Sequence, residues 1–305
     1  MKLGVMTAAF PDQSLEQVAD WCAANGFESL EIACWPASGG EKRRYAGICH
    51  IDVETLDASG AREINELVTS RGLEISALAY YPNNLHPDPA ARDEANSHLL
   101  RVIDAAQTLG VEVVGTFVGN DRAATPRANM QTFGEVFPAL IDHARERGVK
   151  VAIENCPMIF SEDEWPGGNN LASSPAAWRE MFRIVPWEGF GLNFDPSHLV
   201  WLMIDCDRAV REFADRIHHV HAKDLEIDRN GLYEHGVLSS GMGWQVPRLP
   251  GLGEVRFDRF FAALYAVGYD RWVSIEHEDR RFEGSDELVK RGFLIARDVL
   301  RPYLH

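Results

Sequence analysis

Positive charge is scarce in this sequence. Its 305 residues carry 30 Lys and Arg against 46 Asp and Glu, a formal net charge of −16. A surface this acidic repels phosphate backbones, which argues against nucleic acid as a partner. Cysteine is also sparse. Cys22, Cys34, Cys49, Cys156 and Cys206 make an odd set with no CxxC pair. A chain this long needs no staples, so reduced thiols in a cytoplasm fit best. No apolar run approaches the ~18 residues of a membrane span. The opening MKLGVMTAAF is short and interrupted by Pro11, unlike a signal peptide. The expectation is a soluble, cytoplasmic protein with no membrane partner. No GxGxxG follows the first apolar run, which weakens a dinucleotide-binding reading.

What the chain does have is alternation. Short β-type runs occur at 2–6, 28–33, 73–79, 111–118, 149–155, 190–195, 216–221 and 271–276. Helix-period segments lie between them, such as SLEQVADWCAANGF, where Leu15, Val18, Ala19 and Cys22 fall on one stripe and Ser14 is placed to cap the N-terminus. Gly26, Gly72, Gly110, Gly148 and Gly268 each stand between a helical pattern and the next strand, where left-handed helix ends favour a residue without Cβ. Strand–helix alternation repeated eight times predicts parallel strands with crossover helices, and eight strands close a barrel. The predicted fold is a single-domain (β/α)8 TIM barrel over 1–305, with an open doubly wound sheet as the alternative. The segments after the strands are long (34–58, 80–88, 119–130, 156–174 and 222–255), and in a barrel they build the active-site face. The last reads as an ordered lid or a subunit contact. DEWPGGNN, within 156–174, suits a tight turn near the pocket.

Four polar residues recur where apolar runs end: Glu154 in VKVAIEN, Asp195 in FGLNFDPSH, His221 in RIHHVHAKD and Glu276 in RWVSIEHED. Side chains alternate along a strand, so each can face the barrel mouth while Ile153, Phe194, Val220 and Ile275 face the helices. Each alone reads as an ordinary strand-end polar residue. Together, inward-facing charges without a cation would be costly. Three oxygen donors and one imidazole suit a divalent ion such as Mn²⁺, Mg²⁺, Co²⁺ or Zn²⁺. His198, three residues after Asp195, is placed just above such an ion or caps the next helix. Lys223 either touches substrate or pairs with Asp224. His219 reads as a satisfied core histidine, Glu278 as an outlying or solvated carboxylate, Asn155 equally as structural, and Cys156 as a buried thiol. Trp35, Tyr80, Tyr81 and His86, with Asn120 and Asp121, follow earlier strands. Aromatics at a barrel mouth can stack on a sugar ring or simply pack.

VAIEN, NFDPSH, HVHAKD and IEHED, in this order, resemble the xylose-isomerase-like TIM-barrel superfamily, nearest to its sugar phosphate isomerase/epimerase group. The resemblance covers nearly the whole chain. It implies that Glu154, Asp195, His221 and Glu276 hold one divalent metal ion, with Mn or Zn favoured. It also implies that Glu154 and Glu276 act as the acid–base pair and that His198 contacts substrate, with Lys223, Trp35 and His86 as further substrate-binding candidates. The implied activity is a metal-dependent sugar isomerase or epimerase working through a metal-stabilised enediolate. The alternatives are a lyase on the same scaffold, inosose dehydratase-like or cleaving a 3-oxo-glycoside, and more remotely an endonuclease IV-like hydrolase. The ketose 3-epimerase branch carries an arginine shortly after the metal histidine; here Ile227 stands near that place and Arg229 nearby. The implied partner is a small carbohydrate, and relatives suggest a homodimer or higher homo-oligomer. PGLGEV at 250–255 is a weak candidate phosphate cradle, more readily a loop turn.

Overall fold

The computed structural model describes residues 1–37, 46–159, 161, 163 and 167–304. Eight parallel strands close into a barrel in the order β1-β10-β7-β6-β5-β4-β3-β2. They are β1 (Lys2–Met6), β2 (Ser29–Ala33), β3 (Glu74–Ala79), β4 (Val113–Thr116), β5 (Lys150–Glu154), β6 (Phe190–Phe194), β7 (Ile217–Ala222) and β10 (Trp272–Ile275). Each lies within a residue or two of its expected run. Helices α1 (Leu15–Ala24), α2 (Ala58–Thr69), α3 (Pro89–Leu109), α4 (Pro126–Glu146), α5 (Pro175–Ile184), α6 (Pro196–Trp201), α7 (Cys206–Glu212), α9 (Phe257–Ala266) and α10 (Asp286–Leu300) surround it. The protein is a (β/α)8 TIM barrel.

The local signals act as expected. Ser14 and Gln17 form a capping box at α1, with the Gln17 amide donating to Ser14 Oγ at 3.2 Å and the Ser14 amide to Gln17 Oε1 at 2.9 Å. The five interelement glycines all take positive φ.

The strand faces divide as alternation requires. Ile153, Phe194, Val220 and Ile275 are fully buried in the main apolar core between barrel and helices, where Phe194 stacks on Phe260 of α9 at 5.8 Å. Truncating such a buried ring to Ala typically costs ~3–5 kcal/mol. Inside the barrel, Ala77, Val113 and Ala152 form a small apolar plug with Trp272. Polar side chains share the strands' buried positions, with Glu31, Ser76, Asn193, His219 and Ser274 all at 0 % exposure.

The 222–255 segment is more than a loop. It contains an antiparallel hairpin, β8 (Asp224–Ile227) with β9 (Gln245–Arg248), and a helix, α8 (Arg229–His235), between them. Pro247 is tolerated in β9 because the two-stranded ribbon leaves edges free. Of the DEWPGGNN turn, residues 164–166 lie outside the described residues; Gly167 and Gly168 have positive φ.

Candidate metal centre and active site

The strand ends bring Glu154, Asp195, His221 and Glu276 together. Glu154 is the last residue of β5 and His221 the fifth of β7, while Asp195 and Glu276 follow β6 and β10 directly. One donor atom from each lies within 4.8 Å of the others. His221 Nδ1 is 3.3 Å from both Glu154 Oε1 and Glu276 Oε2.

Asp195 divides its oxygens. Oδ1 accepts the Ser197 amide at 2.8 Å and so caps α6. Oδ2 is buried and faces Lys223 Nζ and His198 Nε2, each at 3.1 Å. Three buried carboxylates around one imidazole need positive charge among them, and a cation held by these four side chains would add it. The donor set, three carboxylates and an imidazole, fits a divalent ion. Asn155 clamps the same corner. Its Nδ2 donates to the Asp195 carbonyl at 2.9 Å and its Oδ1 accepts the Asp195 amide at 2.8 Å. Its use is structural, tying the ends of β5 and β6. Asn170 similarly donates to the Glu154 and Cys156 carbonyls at 3.0 and 2.7 Å.

Sequence reasoning missed Glu31. It sits inside β2, not at its end, and its Oε2 accepts from His221 Nε2 at 2.7 Å. Tyr81 donates its hydroxyl to Glu31 Oε1 at 2.6 Å, and Asn193 Nδ2 donates to that hydroxyl at 2.7 Å. Gly115 makes room for this crossing, since a Cβ there would stand 2.2 Å from the Tyr81 oxygen. Burial alone would raise the Glu31 carboxyl pKa, but His221, His219 and Tyr81 hold it down to about 2. An ionised carboxylate only accepts, so His221 Nε2 bears a proton toward Glu31, and Nδ1 is the nitrogen that faces the donor cluster. His219 lies beneath, bonded to Asn193 Oδ1 at 3.0 Å and to Ser76 Oγ at 3.2 Å. Burial lowers its pKa to about 4. It is the satisfied core histidine its position suggested.

Lys223 does not pair with Asp224. Its Nζ lies 2.6 Å from Glu276, 3.1 Å from Asp195 and 3.1 Å from Glu278. Burial would strip this ammonium of its proton, but the carboxylates keep its pKa well above the ordinary lysine value. The same contest, burial against Glu31 and Glu276, leaves His221 raised well above an ordinary imidazole. Asp195, opposed by burial but facing Lys223 and His198, is pulled below the usual carboxylate range. Asp224 points away, into four backbone amides: Leu225 and Val255 at 2.8 Å to Oδ1, Gly251 and Gly253 at 3.0 Å to Oδ2. The PGLGEV run is thus a turn whose amides hold the chain's own carboxylate.

His198 Nε2 stands 3.1 Å from Asp195 Oδ2 and 3.5 Å from Glu154 Oε1. Together with Lys223, Cys156, Glu278 and Arg280 it lines a cavity of about 100 Å³. Burial raises the Cys156 thiol pKa. Met158, beside it, holds a positive φ of 58°, an uncommon conformation for a residue with a side chain.

Other candidates fall elsewhere. Trp35 is buried against Tyr80 and Tyr81, outside that cavity lining. His86 accepts the Asp88 amide at 3.1 Å where α3 begins, also away from it. Asp121 caps a turn through the Ala123 amide at 2.9 Å. Arg229 pairs with Glu254 at 2.8 Å on the surface, and Ile227 sits in an apolar cluster with Leu225 and Trp244. Neither belongs to the carboxylate–imidazole cluster.

Known proteins share this fold. YfiH of Bacillus subtilis, a protein described as uncharacterised, is 27% identical over 92% of this chain and 93% of its own. An inosose dehydratase of Geobacillus thermodenitrificans is 27% identical over 47% of this chain and 48% of its own. Among solved structures, D-psicose 3-epimerase from Clostridium cellulolyticum H10 superposes with a TM-score of 0.72 at 17% identity, covering all of both chains. A zinc-bound IolI protein superposes equally well, with a TM-score of 0.72 at 18% identity, covering 100% of this chain and 99% of its own. The model of the family described as xylose isomerase-like TIM barrel matches residues 19–299, and the chain belongs to that family.

Proposed function

We propose that this protein is a divalent-metal-dependent enzyme that isomerises or epimerises a small carbohydrate by moving a proton at a carbon next to a carbonyl. The observation that carries the reading is the convergence of Glu154, Asp195, His221 and Glu276, all buried, with a donor atom from each within 4.8 Å of the others. These four side chains would hold the ion, with Mn²⁺, Zn²⁺, Co²⁺ and Mg²⁺ all compatible with the donors. When bound, the ion supplies Lewis-acid stabilisation of the charge that builds on the carbonyl oxygen as the neighbouring carbon loses its proton.

The chain's own groups do the rest. Glu154 and Glu276 enter the site from different strands and have different companions. His198 Nε2 is 3.5 Å from Glu154, whereas Lys223 Nζ is 2.6 Å from Glu276. One carboxylate removes the proton; the other returns it to the opposite face or the neighbouring carbon. His198 orients a substrate oxygen, and Lys223 holds the Glu276 carboxylate in place. Burial keeps water from quenching the carbanionic state.

A lyase is the second reading. The match to inosose dehydratases favours it. Solvent deuterium incorporation into a panel of ketoses and 3-oxo-sugars separates the two. Exchange with an intact carbon and oxygen skeleton supports isomerase or epimerase, and loss of water or aglycone supports lyase. Glu154→Gln and Glu276→Gln should each reduce exchange by about 10²- to 10⁴-fold with the fold intact. Wild-type exchange rates in both variants would remove the acid–base assignment.

A further inference from the structure

The short helix α6 begins at Asp195 and carries three side chains with polar atoms: Ser197, His198 and Trp201. Ser197 Oγ, His198 Nδ1 and Trp201 Nε1 are buried without a hydrogen-bond partner, while His198 Nε2 turns to Asp195 Oδ2 at 3.1 Å. His198 is only 6% exposed. Protein interiors pair nearly all such groups, so one helix holding three unpaired atoms is a concentration that asks for a ligand. His198 and Trp201 are three residues apart and share a helix face. Both line the cavity of about 100 Å³ that opens beside the carboxylate cluster. The Trp201 ring is braced edge-on by Trp244 of the 222–255 excursion at 6.1 Å, and Trp244 is itself 3% exposed. An aromatic wall with an inward N–H suits a sugar ring, which offers both C–H faces and hydroxyls.

The charges nearby do not suit a phosphate. Lys223 is engaged by Glu276, Asp195 and Glu278. Arg280 shares the cavity lining with Glu278, one charge of each sign. The glycine-rich amides of Gly251 and Gly253 are held by Asp224, and a Cβ at Gly253 would stand 2.4 Å from Asp224 Oδ1, so nothing else fits between them.

We infer that Trp201, with His198, forms the far end of the substrate site and reads the hydroxyls of a neutral, non-phosphorylated sugar or cyclic polyol. This rests on the proposed function only in taking the carboxylate cluster as the reacting end. Trp201 is the specificity residue, and its indole N–H donates to a hydroxyl remote from the reacting carbon.

The test uses metal-loaded, full-length protein with ¹⁵N-labelled tryptophan. The probes are myo-inositol, D-fructose and D-fructose 6-phosphate. Trp201→Phe, which keeps a ring and removes the N–H, identifies the Trp201 indole signal. That signal should shift on adding a neutral probe, and Trp201→Phe should weaken its binding by about tenfold, the loss of one hydrogen bond. On any probe that is turned over, KM should rise with kcat within about twofold, since the contact is remote from the chemistry. An indole signal indifferent to every neutral probe would overturn the inference, as would tighter binding of the phosphorylated sugar than of D-fructose. A Trp201-dependent shift without exchange on any substrate would leave the subsite standing and sink the proposed reaction instead.

Discussion

Glu31→Gln should loosen metal binding by about 10- to 100-fold without unfolding the barrel, the usual consequence of removing the partner of a metal-ligating histidine. The magnitude can be worked from the contacts. Glu31 accepts two hydrogen bonds, from His221 Nε2 at 2.7 Å and from the Tyr81 hydroxyl at 2.6 Å. Tyr81 donates to Glu31, since an ionised carboxylate only accepts, while the Tyr81 oxygen accepts from Asn193. A glutamine has one acceptor oxygen and one donor nitrogen, so with both donors in place it can accept from His221 or from Tyr81 but not both. One charge-assisted bond is lost, worth ~1.5–3 kcal/mol, which matches a 10- to 100-fold change in affinity (about 1.4–2.7 kcal/mol). The reasoning makes a second demand. Tyr81→Phe removes the competing donor, so in the Glu31→Gln/Tyr81→Phe double variant the amide can turn its oxygen to His221. Affinity should then recover part of the loss, a coupling that independent sites would not give. Titration of chelator-stripped protein with Mn²⁺ or Zn²⁺ by calorimetry reads all four proteins. Glu31→Gln binding within twofold of wild type, or a double variant at the additive sum, would refute the argument.

Lys223→Met should act in the opposite direction, raising affinity for Mn²⁺ or Zn²⁺, since Lys223 Nζ contacts Glu276 and Asp195, two of the side chains offered to the ion, and removing a nearby positive charge favours a cation. The metal-free variant should also melt earlier than metal-free wild type, because breaking a buried ion pair leaves uncompensated carboxylates; unchanged affinity would remove Lys223 from the site. His218, away from the cluster, sets an acid limit on stability. Burial, with Lys150 nearby, lowers its pKa to about 4 in the fold, against ~6.5 unfolded. The unfolded chain therefore takes the proton first. His218's contribution is complete above pH ~6.5, is lost as pH falls toward ~4 and is flat below, about 3 kcal/mol in all. Urea midpoints measured across that window should fall, and His218→Gln should flatten part of the slope; an identical slope in the variant would contradict the assignment.

The strand-end residues could be read from sequence because a parallel barrel puts strand termini at one face, and a carboxylate ending an apolar run is a local pattern. Glu31 was hidden by the same logic. It lies mid-strand in SLEIA, where burial is complete on every residue, and the cue was an acidic residue on an inward position with nothing local to pair it. The hairpin was hidden by composition, since Pro247 and the glycines around it read as loop, and its register depends on pairing across about twenty residues. Pairing with Asp224 was one of two expectations for Lys223, but three of the four amides that hold Asp224 lie 27 to 31 residues on. The anchoring of His86 at α3 rather than in the cavity likewise depends on chain direction after a strand, which no residue pattern encodes.

The shared carboxylate of Asp195 has a mechanical consequence. Its plane is rigid, with one edge seating the first turn of α6 and the other turned to the ion cage. Ions of unequal radius in that cage would tilt the plane by unequal amounts. The helix would follow, carrying His198 and Trp201 with it. Swapping the metal should therefore change the ranking of sugars the protein accepts as well as its speed on any one of them.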